Sequence, residues 1–247
     1  MNVITILWIR QLKRYFRSRA RIIGSLGQPL LFLIALGFGF GPIYAKAGGG
    51  NYMQFLAPGI IAMSILFTAI FSGIEIIWDK QFGFLKETLV APVSRTTIMF
   101  GRTLGGATVS VIQGILVLLI SLLAGFTIDV SLLPFAVFFM ALIAILFTAI
   151  GTAIASLLDD MQGFHLIINF LVMPIFFLSG ALFPLVGVPK IIELFMRLNP
   201  LTYGVDGLRG TLTHAATIGL FKDSIILIIA TVFFMGIGAY LFSKIKV

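Results

Sequence analysis

The stretch WDKQFGFLKETLVAPVSRTTIMFGR, residues 78–102, is a polar segment between two strongly apolar runs. Inside it, apolar side chains recur at three- and four-residue spacing: Phe82, Leu85, Leu89 and Val93. This spacing puts them on one face of a short helix. An ordered amphipathic helix between two apolar runs favours a docking surface for another protein. A solvated loop with some helical propensity is the alternative.

The charged residues of the same stretch lie away from that apolar face. Lys80, Lys86 and Glu87 occupy the other positions of the helix, and Pro92 is predicted to stop or bend it. The polar face is therefore expected to remain open.

The composition decides the broad class of protein. The chain is 60% hydrophobic and 11% charged, whereas soluble domains carry about 25% charged residues. Its apolar runs of 18 or more residues are long enough to cross a hydrocarbon core of about 30 Å. Cysteine is absent, which excludes disulfides, thiolate metal sites and a cysteine nucleophile. The sequence predicts a polytopic helical membrane protein.

The fold class is therefore all-α, with one transmembrane domain over residues 1–247 and six spans. The predicted spans are 22–40, 55–78, 103–126, 132–158, 164–183 and 224–242.

Residues 1–21 contain six basic and no acidic residues. On a helix, the basic face carries Arg10, Lys13, Arg14, Arg17 and Arg21. The opposite face carries Ile4, Leu7, Trp8, Leu12 and Tyr15. Such a basic amphipathic helix lies among lipid headgroups, with Trp8 and Tyr15 as interfacial anchors. A signal peptide is disfavoured because no convincing small-residue cleavage site precedes Gly37.

The distribution of Lys and Arg predicts the orientation. With six spans, the termini, the 79–102 loop and the 159–160 turn share one side, which holds 12 of the 17 basic residues. The positive-inside rule places that side, with both termini, in the cytoplasm. The net charge of +8 then reflects topology and needs no nucleic-acid partner.

The external segment 184–223 is not plainly hydrophilic. VPKIIELFMRLNP and LTYGVDGLRGTL each predict a short helix, bounded by prolines in the first case. These helices are expected to re-enter the outer leaflet, where irregular backbone must be buried in protein. An ordinary surface loop with two helical turns is the alternative. The residues singled out are Glu193, Arg197, Asn199, Pro200, Tyr203, Asp206 and Arg209.

The polar side chains within the spans are mostly uncharged hydroxyl and amide groups. Small residues share helix faces at four-residue spacing, as Gly106, Ser110 and Gly114 do, and this is the usual pattern of helix–helix contact. Gln113 and Asn169 are expected to hydrogen-bond across helices. The residues that could line a path for an amphipathic or lipid-like solute are Ser64, Phe67, Thr68, Phe71, Asn169 and Phe176.

Several kinds of chemistry are missing from the sequence. No G-x-x-x-x-G-K-[ST] phosphate loop occurs, so the chain does not hydrolyse nucleotide by that route. His165 and His214 lie on opposite predicted sides, so neither a metal site nor a catalytic group is predicted. The deepest acid is Glu75, about 13 Å from the middle of its span at 1.5 Å per residue. Because no ionisable group lies near the middle of a span, the sequence gives little support to an ion-driven mechanism. Two rival hypotheses are kept: an ion-coupled carrier or channel acting alone, and a non-transporting membrane component.

Two blocks resemble a known family: FGFLKETLVAPVSRTTIMFGRTLGG, residues 82–106, and FFLSGALFPLVGVPKIIELFMRLNPLTYGVDGLRG, residues 176–210. With the six-span layout, they resemble permease subunits of type-2 ATP-binding-cassette (ABC) exporters, closest to the daunorubicin-resistance and nodulation-type branch. The resemblance covers nearly the whole chain.

The resemblance implies the following arrangement. The 79–102 loop forms a coupling helix that sits in a groove of a separate ATPase subunit, through Phe82, Phe84, Leu85, Glu87, Pro92 and Arg95. ATP and Mg²⁺ bind that partner, and this chain holds no cofactor. A second permease chain, identical to this one, completes the path in a prokaryotic cell membrane. The cargo is a hydrophobic or amphipathic drug, a lipid or a lipid-linked saccharide.

Overall fold

The regular elements of the computed structural model, which describes residues 3–46, 50–90, 92–185 and 187–245 apart from the side chain of Arg21, are helices. In chain order they are α1 Val3–Arg17, α2 Arg19–Phe32, α3 Gly39–Lys46, α4 Tyr52–Phe71, α5 Ile74–Gln81, α6 Phe84–Val90, α7 Arg95–Leu123, α8 Leu133–Leu157, α9 Met161–Phe177, α10 Lys190–Leu198, α11 Pro200–Thr213 and α12 Leu220–Ser243. A π-helical stretch, Leu33–Phe38, joins α2 to α3, and a 3₁₀ turn, Val130–Leu132, precedes α8.

Five helical stretches in the described part of the chain are long and apolar enough to cross a membrane. They are Ile22–Lys46, Tyr52–Gln81, Arg95–Leu123, Val130–Leu157 and Leu220–Ser243. They correspond to five of the six predicted spans. The chain is thus a multi-pass helical protein.

The remaining predicted span, 164–183, is shorter than expected. Its helix is α9, which has 17 residues and ends at Phe177. Gly180 adopts a positive φ of 74°, which a helix cannot continue through, so the chain turns there.

The first predicted span is longer than expected, because the helix runs past residue 40 to Lys46. Pro42 lies inside this continuous stretch, four residues after the π-helical turn Leu33–Phe38.

The core forms around α4, which packs against α7, α8 and α11. Small residues allow these helices to approach closely. A side chain at Gly106 would meet Ser72 and Thr148, and one at Gly151 would meet the backbone of Ile70. The helix faces with small residues therefore form helix–helix contacts, as their four-residue spacing predicted.

The segment between α9 and α12 contains the two predicted short helices. The first, α10, begins after Pro189 and presents Ile191, Phe195 and Leu198 at its surface. The second, α11, begins at Pro200 and is almost entirely buried against α4, α8 and α12. The burial of α11 favours the re-entrant interpretation over an ordinary surface loop.

The apolar face of α1 packs against α7 instead of facing lipid. Gly101 and Gly105 of α7 admit Leu7 and Gln11 of α1. The Trp8 indole N–H donates to the Thr108 hydroxyl at 2.9 Å. Helix α1 remains amphipathic as predicted, but protein covers its apolar face.

Tyr15 was predicted as a lipid-interface anchor, and the structure corrects this. The side chain is 2% exposed, and its hydroxyl donates to Gln113 Oε1 at 2.7 Å. A buried phenol requires a polar partner, and the amide of Gln113 provides one. The predicted cross-helix hydrogen bond of Gln113 is thereby confirmed.

Candidate functional site

Helix α6 lies at one end of the molecule as a separate short helix between α5 and α7, as the periodicity predicted. Leu85 is fully buried, and Leu89 and Val93 pack against the core. Phe82 departs from the predicted face, because it lies before the helix and is 65% exposed. Phe84, Glu87, Val90 and Pro92 are exposed as well. The helix is thus fixed on its inner side and open on its outer side.

Lys80 fixes the segment that enters α6. Its ammonium group donates to the carbonyl oxygens of Ala155, Ser156 and Leu158 at 3.4, 3.1 and 2.9 Å, and pairs with Asp159 at 3.2 Å. These carbonyls end α8 and have no intrahelical partners. A cation at a helix C-terminus also interacts favourably with the helix dipole. Lys80 therefore connects α5 to the end of α8.

Arg95 fixes the segment that leaves α6. Its guanidinium donates to the carbonyl oxygens of Ser243 and Ile245, both at 2.8 Å. Arg95 is the first residue of α7, and Ser243 is the last residue of α12. The expectation that Arg95 presents its charge to a partner is at odds with these contacts. We call Lys80 and Arg95 the two clamps of α6.

A buried group of charges connects α1, α5 and α7 close to α6. Asp79 is 4% exposed and accepts a hydrogen bond from Arg102, which is 5% exposed. Arg10 of α1 reaches the same carboxylate at 3.5 Å. One turn earlier, Glu75 pairs with Arg14 at 3.7 Å. The basic face of α1 was predicted to lie among headgroups, but Arg10 and Arg14 turn toward acids of α5.

A cleft of about 690 Å³ lies between α1 and the α5–α6 segment. Its lining brings together five of the predicted residues from two distant parts of the sequence: Arg10, Arg14, Arg17, Phe82 and Phe84. Trp78 and Lys13 complete its aromatic and basic character, and the Arg14 guanidinium lies 5.8 Å from the Trp78 ring. Three of the predicted interfacial residues and two of the predicted coupling residues thus line one cleft.

A second cavity, of about 400 Å³, lies between α2 and α4. Four of the six predicted path residues line it: Ser64, Phe67, Thr68 and Phe71. The Ser64 hydroxyl is buried and has no hydrogen-bond partner among the described residues. Gln28 and Ser25 of α2 face them across the cavity.

The other two predicted path residues lie on α9, outside this cavity. Asn169 is exposed on the surface of the chain, and it makes no cross-helix hydrogen bond to any described residue. Phe176 is buried and packs edge-on against Phe32, with ring centroids 6.1 Å apart. The single chain therefore does not bring the six residues into one path.

At the opposite end of the molecule, polar residues organise the turns. The Asp206 carboxylate accepts from the backbone N–H groups of Thr217 and Ile218, at 2.8 and 2.7 Å, just before α12 begins. Asn199 caps α11, and the Tyr203 hydroxyl donates to the carbonyl of Arg197 at 2.6 Å. Glu193 and Arg197 form an ion pair along α10.

Asp129 and His214 join two turns at this end, at 2.7 Å. Hydrogen bonds from Ser131 and from His214 lower the pKa of Asp129 to about 2. Asp206 and Arg209, three residues apart, do not pair in the described structure, because Asp206 is occupied by backbone N–H groups.

Sequence reasoning missed the buried pair of Asp79 and Arg102 and the contacts of Lys80 with the end of α8, and it missed Asp223. Asp223 is fully buried in the first turn of α12, a position that usually indicates an exposed acid at a helix N-terminus. The pairing of Asp79 with Arg102 required knowing that α5 and α7 adjoin, which spacing does not reveal. Among the described residues, no cluster of three His or acidic side chains is arranged to hold a metal.

The comparisons with known proteins agree on one family. The profile of the ABC-2 type transporter family matches residues 2–213. A transport permease, ycf38, of Cyanophora paradoxa is 32% identical over 91% of this chain and 81% of its own length. Nodulation protein J of Rhizobium leguminosarum bv. trifolii is 29% identical over 77% of this chain and 73% of its own length. A multi-pass chain that matches this family over most of its length is a membrane transport permease, and it belongs to the ABC-2 type transporter family.

Proposed function

We propose that this chain is the membrane-spanning subunit of an ATP-driven exporter, powered by a separate ATPase subunit that docks on α6. The observation that carries the proposal is the pair of clamps around an exposed helix. Lys80 on α5, just before α6, bonds to the end of α8, and Arg95, the first residue of α7, bonds to the end of α12. A force applied to the open face of α6 would therefore reach both helices.

The partner that fits this face is an ATPase with a groove for a short helix. The exposed aromatic side chains Phe82 and Phe84, together with Glu87, supply apolar and charged contacts on the same side. The neighbouring cleft, with four basic residues from α1, extends that surface. The chain has no phosphate loop of its own, so ATP and Mg²⁺ would bind the partner.

The proposed topology has six spans, with both termini and α6 in the cytoplasm. The sixth span is α9, whose 17 residues reach about 26 Å at 1.5 Å per residue. This length is at the lower limit for a spanning helix. The excess of Lys and Arg on the α6 side supports the orientation, in a prokaryotic cell membrane.

A second, identical permease chain would complete the pathway. Most residues of the first span, Ile22–Lys46, are not buried within one chain, and α9 exposes Leu166, Phe170 and Phe177. The first span adjoins the cavity between α2 and α4, because Gly24, Gln28 and Pro29 line that cavity. A partner chain that covers them would bring Asn169 toward the shared path and away from lipid.

The proposed cargo is a hydrophobic or amphipathic solute, such as a drug, a lipid or a lipid-linked saccharide. The α2–α4 cavity supports this class, because aromatic rings and a few hydroxyl and amide groups line it. Such a mixture suits a molecule with a large apolar part and a small polar group.

The test is to purify the tagged chain from its native membrane and reconstitute it in liposomes. We expect an ATPase subunit to copurify in equal amount and to hydrolyse ATP. Glu87→Ala should lower that hydrolysis without affecting insertion of the chain, because Glu87 is exposed and forms no hydrogen bond or ion pair with any described residue. Arg95→Ala should lower both hydrolysis and thermal stability, because it also removes a clamp.

A chain that purifies alone and moves ions or solutes without ATP would overturn the proposal in favour of a carrier or channel. A chain with no flux under any condition would indicate a non-transporting component.

A further inference from the structure

Arg209 is a buried cation without an acidic partner. Its side chain is 4% exposed, and no carboxylate of the described residues forms an ion pair with it. One terminal nitrogen donates to the carbonyl oxygens of Gly180 and Phe55 at 3.0 and 3.3 Å. The guanidinium carbon lies 4.0 Å from the centre of the Phe55 ring, and Nε has no hydrogen-bond partner.

The acids closest to Arg209 are engaged elsewhere. Asp206, on the same helix, accepts backbone N–H groups from Thr217 to Gly219. Asp129 pairs with His214. An arginine guanidinium stays protonated in proteins, so the Arg209 side chain is a cation at neutral pH. Neutral carbonyls and a ring face hold this cation in place, and no carboxylate of the described residues contacts it directly.

A cavity of about 470 Å³ opens beside Arg209, at the end of the molecule opposite α6. Its walls are aromatic and polar: Tyr44 and Phe55 on one side, Gln54 and Thr127 on another, and the 212–215 turn at its mouth. The cavity is thus large enough for a head group and the first part of a chain, with one buried cation in its wall.

We propose that this cavity binds the anionic head group, a phosphate or a carboxylate, of an amphiphilic molecule, with Arg209 as its charge partner. A buried guanidinium whose Nε has no hydrogen-bond partner among the described residues is suited to an oxyanion, because its planar donors match carboxylate and phosphate oxygens. The Tyr44 and Phe55 rings offer contact to the apolar part next to the head group. Asp129 lies in the same wall, and its pairing with His214 reduces its repulsion of an anion.

The proposal deepens the proposed export function, because it assigns an anionic amphiphile as the class of cargo that leaves at this end. It also stands apart from that function in its test, since binding at Arg209 requires neither ATP nor a partner subunit. A failure here would leave ATP-dependent docking on α6 intact, and the reverse also holds.

The experiment is calorimetric titration of the purified full chain in amphipol, without ATP, with three probes: decyl phosphate, decanol and inorganic phosphate. Decyl phosphate should bind the wild type at least tenfold more tightly than either decanol or inorganic phosphate. Arg209→Gln should weaken decyl phosphate binding at least tenfold. Lys222→Gln, which removes an exposed cation outside this cavity, should leave it unchanged.

A second variant distinguishes loss of the binding site from loss of folding, which Arg209→Gln alone cannot do. Ala215→Trp places a large side chain at the exposed mouth of the cavity and leaves Arg209 and its contacts untouched. It should also weaken decyl phosphate binding at least tenfold, with an unchanged unfolding temperature. Wild-type affinity in Ala215→Trp would overturn the site. Equal affinity for decanol would overturn the anionic group, and equal affinity for inorganic phosphate would overturn the amphiphile.

Discussion

Asp79 is a buried acid that connects the helices next to α6. Its buried carboxylate is shared by Arg102 of α7 and Arg10 of α1, so three helices meet at one side chain. Two nitrogens of Arg102 already lack hydrogen-bond partners among the described residues, which makes the Asp79 contact its main compensation. Removing one member of a buried ion pair leaves the other charge without a partner.

We therefore predict that Asp79→Asn lowers the free energy of unfolding by about 3–5 kcal/mol. Thermal unfolding of the purified chain measures this. Asp159→Asn is the matched control, since that carboxylate is 95% exposed and its pair with Lys80 is worth at most about 1 kcal/mol. Equal effects of the two substitutions would contradict the buried network.

Asp129 gives the structure a pH dependence at the opposite end. Its pKa in the folded chain, about 2, is below its ordinary value of 3.8. A lowered pKa means that the ionised carboxylate stabilises the folded state above pH 3.8 and that this contribution is lost as the pH falls through 2. The wild type should unfold at a higher temperature than Asp129→Asn at pH 6, and the two curves should converge toward pH 2. A difference that persists at the acidic limit would show that the carboxylate charge is not the cause.

At the scale of elements, the close contact of α4 with α8 depends on Gly151. A methyl group there would overlap the backbone of Ile70, which cannot move without shifting a buried helix. Gly151→Ala should destabilise the chain by about 1–3 kcal/mol. The matched control is Gly236→Ala in α12, where a methyl group meets no atom within 4 Å. It should be neutral or slightly stabilising, because alanine favours a helix over glycine. Similar unfolding temperatures for the two variants would argue against this packing.

The elements that sequence predicted well are those with a strong local pattern. The periodicity of Leu85, Leu89 and Val93 predicted α6, and the prolines at 189 and 200 predicted the ends of α10 and the start of α11. The sequence does not predict what covers an apolar face, because periodicity shows that the face is apolar but not whether lipid or protein lies against it. Tyr15 therefore looked like a lipid anchor and is in fact a partner of Gln113.

The clamps of α6 were not predictable for a related reason. Lys80 and Arg95 bind backbone carbonyls that are 75 and 148 residues away in sequence, and a carbonyl acceptor leaves no trace in the sequence. Exposed basic residues near a loop end look the same whether they bind a partner, lipid or the end of another helix. The cavity beside Arg209 is missed similarly, since its walls come from four separate segments.

For the whole molecule, the faces left open by one chain decide how it assembles. We predict that the exposed face of α9 meets a second copy. The chain contains no cysteine, so single-cysteine variants report contacts without interference. Phe170→Cys, at a position 85% exposed, should form disulfide-linked dimers in membranes under mild oxidation. Phe233→Cys on α12, 61% exposed, should remain monomeric. If Phe233→Cys formed dimers and Phe170→Cys did not, the second copy would contact α12 and not α9.

The central claim is that an ATPase subunit sits on the open face of α6. The most direct measurement is to place a photocrosslinking amino acid at Glu87 in the full chain, irradiate native membranes and identify the crosslinked polypeptide by mass spectrometry. A probe at Lys190, the exposed start of α10 at the opposite end, is the control. We expect an ATPase subunit to be crosslinked at Glu87 and none at Lys190. An irradiated chain that captures only lipid at Glu87, or the same polypeptide at both positions, would contradict it.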